Sequence, residues 1–145
     1  MFRGRFEHAI DNKGRTSIPS RFREILVTNY DERLIITNFD ACLWAYPVAE
    51  WQVIENKVAS LPQFKSEVKA LQRMFISAAT ECPIDKQGRI LIPPTLRDYA
   101  GLSREIVFVG MTKRIEIWAK DRWASEFDKS QKIAENAENL SDLGL

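Results

Sequence analysis

The sequence predicts a mixed, mainly β fold organised as an internal pseudo-dimer, and two alignments of the chain with itself predict it. "IDNKGRTSIPSRFR", residues 10–23, recurs as "IDKQGRILIPPTLR", residues 84–97, with Ile10, Asp11, Gly14, Arg15, Ile18 and Pro19 each matched 74 positions later. Further on, "LIITNFDACLWAYPVAEW", residues 34–51, aligns with "IVFVGMTKRIEIWAKDRW", residues 106–123, at an offset of 72; Leu43 then matches Ile115, Tyr46 matches Trp118 and Trp51 matches Trp123. The change of offset assigns the first half a loop two residues longer. Two repeats are too few for a solenoid, which needs about three or more to bury its faces, so the halves are expected to pair with each other.

Each half reads as β-β-α-β-β. "RFEHAI" and "RTSIP" alternate with strand period around "DNKG", where Asp and Asn favour a turn and Gly14 takes positive φ at little cost. Pro19 stops the second strand and pre-sets φ for a helical turn, so "SRFREIL" and its counterpart "PTLRDYA" read as short capping helices. "RLIITNF" and "CLWAYP" follow as a hairpin, matched by "EIVFVG" and "IEIWA". Between the halves, Trp51, Ile54, Val58 and Leu61, then Val68, Leu71, Phe75 and Ala78, make helical stripes separated by a break near "SLPQF". The organisation is therefore a first half over residues 5–50, a helical connection over 51–80, a second half over 81–124 and a C-terminal helix or tail over 125–145.

Composition narrows the function classes. A chain of 145 residues with 45% hydrophobic content, four Trp and eight Phe sustains one ordinary core. It has no apolar run of about 18 residues, the length a membrane span requires, and "MFRGRFEHAID" lacks the long apolar stretch of a secretion signal, so a cytoplasmic location is expected. Cys42 and Cys82 stand alone, without metal-ligand spacing, and read as buried core thiols. Neither a metal nor a cofactor is called for. Catalysis fits poorly: the chain has one histidine, His8, and no Gly-rich phosphate loop, H-E-x-x-H, G-x-S-x-G or CxxC. Glu7, on the adjacent and opposite-facing strand position, cannot serve His8 as a paired acid, and a strand histidine held by hydrogen bonds is the expectation.

Charge distribution points to a polyanion. The net charge is only +1, but residues 1–23 carry Arg3, Arg5, Lys13, Arg15, Arg21 and Arg23 against Glu7 and Asp11, a local net charge of +4. Residues 126–145 carry five acidic residues and two lysines, a net charge of −3. Asp11 and Arg15, four residues apart across a glycine turn, can close an ion pair that stiffens it, and Asp85 and Arg89 repeat the arrangement. Brought together by the pseudo-dimer, the two turns double a basic surface, and arginine is the residue best suited to grip phosphate or read a guanine edge. Arg3, Arg5, Lys13 and Lys86 are the expected phosphate partners.

The paired D-x-x-G-R-x-x-I-P, the N-terminus "MFRGRFEHAIDNKGRTSIPSRFR", the central "FDACLWAYPVAEW" and "MFISAATECPIDKQGRILIPPTLRDYAGL" resemble the bacterial MraZ family, whose two halves are related to the AbrB type of DNA-binding domain. The resemblance covers residues 1–124; Phe39 and Ala41 stand where that pattern has a leaner, glycine-containing turn. It implies a swapped-hairpin β-barrel of interlocked strands capped by short helices, and ring-like assemblies of many subunits. It also implies a nucleoid-associated transcriptional regulator, usually a repressor, acting on short direct repeats in double-stranded DNA upstream of its own gene in the division and cell-wall cluster. Carried over by position, the D-x-x-x-R residues are Asp11, Arg15, Asp85 and Arg89, with Gly14 and Gly88 shaping the turns. The alternative is an antitoxin-like module that dimerises through its barrel and binds a partner protein with its tail. Against that stands the spacing of Trp123, Phe127, Ala134 and Ala137, which predicts a helix docked on its own domain.

Overall fold

The computed structural model describes residues 1–138 and 140–145; Asn139, within the predicted tail, lies outside the described residues. Its elements follow the predicted order: β1 (Arg5–Ala9), β2 (Arg15–Ser17), α1 (Ser20–Asn29), β3 (Arg33–Phe39), β4 (Cys42–Pro47) and α2 (Val48–Ala59) come first. A short α3 (Ser66–Leu71) running into a π-helical turn (Gln72–Ile76) leads to the second half. There β5 (Thr80–Pro83), β6 (Arg89–Leu91), α4 (Pro94–Ala100), β7 (Glu105–Met111), β8 (Arg114–Ala119) and α5 (Lys120–Asn136) complete the repeat.

The two halves exchange strands. The main sheet has the order β1-β7-β8-β4-β3-β5, so the first strand of each half lies against the hairpin of the other. β2 and β6 form a separate two-stranded antiparallel ribbon. Each ribbon strand follows an edge strand of the sheet through a four-residue-spaced turn, and a bridge between Ile10 and Thr16 ties the first edge to the ribbon. A pseudo-twofold axis passes through both layers: Thr16 pairs with Ile90, its own counterpart, and Trp44 of β4 pairs with Glu116 of β8, its counterpart at the offset of 72.

Burial follows from the alternation. Ile36, Leu43, Ala45, Ile106, Phe108, Ile115 and Ile117 from the sheet meet Ile18, Ile90 and Ile92 from the ribbon strands and the residues flanking them in one core. Phe22 and Leu26 of α1 and Leu96 and Ala100 of α4 join it. Cys42 and Cys82 are buried and unpaired; burial pushes both thiols up, Cys82 to about 11. One buried charge lies near the axis: Glu116 accepts from Arg114 Nη2 at 3.2 Å and from Trp118 Nε1 at 2.9 Å, while the Arg114 guanidinium sits 3.8 Å from the centre of the Trp44 ring.

Four details sharpen or correct the sequence reading. The extra residues of the first half extend a helix: α1 has ten residues, whereas α4 has seven and stops at Gly101, whose φ of +65° gives it a left-handed cap. His8 rests edge-on against Phe108, with ring centroids 5.3 Å apart, in place of a hydrogen-bonded anchor. The β3–β4 hairpin turns through Asp40 and Ala41 at φ of +54° and +62° without a glycine. Tyr99 and Arg122 hold that turn: the Ala41 N–H donates to Tyr99 Oη at 3.2 Å, and Arg122 Nη1 donates to the Ala41 carbonyl at 3.1 Å. Finally, α5 docks through Trp123 against Trp118 and through Phe127, but Ala134 and Ala137 are exposed.

Candidate nucleic-acid interface

Two turns of nearly identical construction stand at opposite ends of the ribbon. In the first, Asp11 Oδ1 accepts the N–H groups of Lys13 and Arg15, both at 2.9 Å, and Oδ2 accepts Arg15 Nε at 2.9 Å. The turn is closed by Gly14 N–H donating to the Asp11 carbonyl and Asp11 N–H donating to the Arg15 carbonyl. The second repeats each bond: Asp85 Oδ1 accepts from Gln87 and Arg89 N–H at 2.9 Å, and Oδ2 from Arg89 Nε at 3.3 Å. Gly14 and Gly88 take φ of +92° and +78°, the conformations that make these positions glycine. The Arg15 N–H, with further help from the Arg15 side chain and the Lys13 N–H, holds the Asp11 carboxyl down at about 2; Asp85 is lowered by the Arg89 N–H in the same way.

Because each carboxylate grips its arginine through Nε, the side chain is held against its own turn and the terminal guanidinium nitrogens are left without a hydrogen-bond partner among the described residues. That is pre-organisation of a planar, always-charged donor fork. Lys13 and Lys86 are exposed on the same turns.

The ribbon between the turns has an inner and an outer face. Thr16 and Ile90 point inward and are buried, Thr16 Oγ1 donating to the Ala9 carbonyl at 2.8 Å. The period of two then puts Arg15 and Ser17 of β2, and Arg89 and Leu91 of β6, on the outer side. Arg15 lies opposite Leu91, and Ser17 opposite Arg89, so the two arginines occupy diagonal corners, roughly 8 Å apart by strand geometry. Both motifs are thus brought to one face.

The other two expected phosphate partners are placed elsewhere. Arg3 lines a shallow depression with Arg21, Glu24 and Thr28 beside α1. Arg5, at the end of β1 remote from the turn, lies over the Phe127 ring of α5, 4.9 Å from its centroid. Two residues outside the expected set belong to the site. Arg97 of α4 reaches across the axis to the first turn: its Nε donates to the Ile92 carbonyl at 3.0 Å, and a Cβ on Gly14 would lie 2.6 Å from that nitrogen. Arg23 of α1 takes the equivalent place over Gly88, but its guanidinium is drawn to Glu32, 3.3 Å away. Both arginines end the repeated phrase, so their equivalence was legible; their crossing to the opposite half was not.

The arrangement defines a class: a two-stranded β-ribbon with charged, rigid turns, carried on a strand-exchanged barrel. The chain belongs to the MraZ family. The family described as "MraZ protein, putative antitoxin-like" matches it twice, over residues 1–74 and 75–143, the two halves of the pseudo-dimer with the connection divided between them. Proteins named transcriptional regulator MraZ from Pelotomaculum thermopropionicum and Desulforamulus reducens are 48% and 47% identical to it, and the alignments span 99% or more of each chain. The one from Natranaerobius thermophilus is 40% identical over the whole of both chains. A solved structure, the solution structure of PHS018 from Pyrococcus horikoshii, covers 81% of this chain and 88% of its own at 15% identity, with a TM-score of 0.35.

Proposed function

We propose that this protein is a sequence-specific DNA-binding transcriptional regulator, a repressor of its own operon in the division and cell-wall gene cluster, that lays its β2–β6 ribbon in the major groove of short direct repeats. The observation that carries the reading is the outer face of that ribbon, where Arg15 and Arg89 stand at opposite corners, each aimed by a carboxylate. A major groove admits a two-stranded β-ribbon, and arginine to guanine is its commonest specific contact. Asp11 and Asp85 cannot favour a phosphate and act on the protein side, orienting the arginines. Lys13 and Lys86 neutralise phosphates, while the place of Arg3 beside α1 and the Phe127 contact of Arg5 assign those two weaker shares.

One ribbon makes few base contacts, so affinity must come from several ribbons held together. A ring-like homo-oligomer supplies them, as subunits joined head to tail meet successive direct repeats in one orientation. Unlike surfaces suited to such a joint exist: a groove of about 620 Å³ lined by Arg5 and Asp40 of the first half and by Trp118, Trp123 and Phe127, and the 92%-exposed Phe64 ring on the loop after α2. The measurement is titration of duplexes carrying one, two and three upstream repeats at equal salt, with sedimentation of the free protein. Affinity is expected to rise about 10²–10⁴-fold with each added engagement and to lose that gain when half a helical turn is inserted between repeats. Equal affinity for one repeat and for three, by a monomer, overturns the reading.

A second reading, an antitoxin-like protein-binding module, draws on the family's description and on the distal part of α5, where Ile133 is exposed. Shortening the chain after Phe127 separates the two. The DNA reading expects operator binding to survive, and the module reading expects loss of a protein partner.

A further inference from the structure

The outer face of the ribbon is symmetric in its arginines and asymmetric at one other pair. Positions 17 and 91 are counterparts in the repeat, one occupied by serine and the other by leucine. Leu91 is 57% exposed, directly opposite Arg15 and two residues from Arg89. It contributes nothing to the core and cannot turn inward, because Ile90 and Ile92 on either side of it are buried and a strand alternates its faces. A large apolar side chain is therefore held in the open, opposite one arginine of the face and two residues along the strand from the other.

Resting on the DNA reading of the ribbon, we propose that Leu91 is a specificity-determining residue that takes the C5-methyl group of a thymine, and that its contrast with Ser17 sets the direction in which the ribbon lies on each repeat. Among the groups that base pairs display in the major groove, the thymine methyl is the apolar one, and apolar side chains recognise it by contact. Directly opposed strand residues have Cβ atoms about 4.5–5.5 Å apart, so Leu91 reaches a base pair one or two steps from the one Arg15 reads. Turning the ribbon by its pseudo-twofold axis restores the arginines but puts Ser17 against the methyl, which forfeits the contact. A pseudo-symmetric reader thereby distinguishes a direct repeat from its inverse.

The test uses the full-length protein. Binding duplexes are first selected from a randomised pool, and each thymine of the winner is then replaced singly by deoxyuridine, which deletes the methyl alone. The expected result is one thymine beside a guanine at which uracil weakens binding by about fourfold, the worth of one buried methyl. Leu91→Ser is expected to bind the thymine and uracil duplexes equally and to lose its preference for one orientation, with an unchanged unfolding midpoint. The proposal is overturned if no thymine is sensitive in the parent protein, or if Leu91→Ser keeps the full uracil penalty. It is likewise overturned if Leu91→Ser weakens all duplexes alike while changing the sedimentation coefficient, which would make Leu91 a contact between copies. Arg15→Ala serves as the control. If the parent selects no sequence and Arg15→Ala matches it, the DNA reading itself fails; if selection succeeds and depends on Arg15 while uracil is silent, only the role of Leu91 fails.

Discussion

The two turns share a sequence pattern and a hydrogen-bond scheme, yet they are not held equally. At the first, Asp11 grips Arg15 Nε at 2.9 Å, and Arg97 from the other half fills the space over Gly14 while bonding the backbone below it. At the second, the Asp85 to Arg89 bond is 3.3 Å, and Arg23, the counterpart of Arg97, is shared with Glu32. The position equivalent to Glu32 is Arg104, so Arg97 has no matching carboxylate on α4's exit. A duplicated motif has diverged through its neighbours. The first turn is the stiffer and the more positive; the second is partly neutralised.

The largest expected effect removes the arginines one at a time. Loss of a bidentate guanine contact costs about 1–3 kcal/mol, and Arg15→Ala should lie at the upper end of that range and Arg89→Ala at the lower, since the first fork is the better aimed. Both variants should unfold close to the parent's denaturant midpoint, because each side chain is half-exposed and outside the core, and the ion pair it makes within its own turn is a surface one, worth little. Titrations of operator against scrambled duplex check the order, and equal losses would erase the distinction between the turns.

Next in size are the glycines. A methyl on Gly14 would lie 2.7 Å from the Ile92 carbonyl, a backbone atom that cannot swing aside, whereas on Gly88 it would meet the mobile end of Arg23 at 2.8 Å. Both positions have positive φ, so each alanine adds strain of order 1–3 kcal/mol, with Gly14→Ala the more destabilising of the pair. Denaturant unfolding measures both.

Smaller still is the charge at the second turn. Glu32→Gln should free Arg23 to meet a phosphate, strengthening specific and non-specific binding alike and steepening the salt dependence by about one unit. An unchanged salt slope would mean that Arg23 stays on the protein even without its partner.

The subtlest comparison is protonation. Asp11 ionises at about 2 in the folded chain, against an ordinary 3.8. A folded-state value below the unfolded one favours the folded turn most above about pH 4, and that contribution disappears as pH falls through about 2. Carboxyl NMR titration should place Asp11 near 2 and find Asp85 also depressed; a normal midpoint for Asp11 would deny the bracing bonds.

Local order was legible because its causes are local. Proline and glycine punctuation, period-two alternation and the self-alignment of residues 10–23 with 84–97 are properties of neighbouring residues, and they place both turns, the strands and the capping helices without reference to the rest of the chain. The Asp-to-Arg spacing likewise closes within five residues, so its ion pair follows from the turn itself. What alternation cannot state is which strand lies beside which, because a strand's two faces and two edges are the same whether its partner belongs to its own half or the other. Only the packed chain set β1 against β7 and β5 against β3, and with that exchange carried Arg97 over Gly14, Arg23 over Gly88 and Arg5 onto Phe127. Leu91 belongs to the same class: a leucine in a strand reads as core until Ile90 and Ile92 are seen to fill the inside, and burial is decided by the whole fold at once.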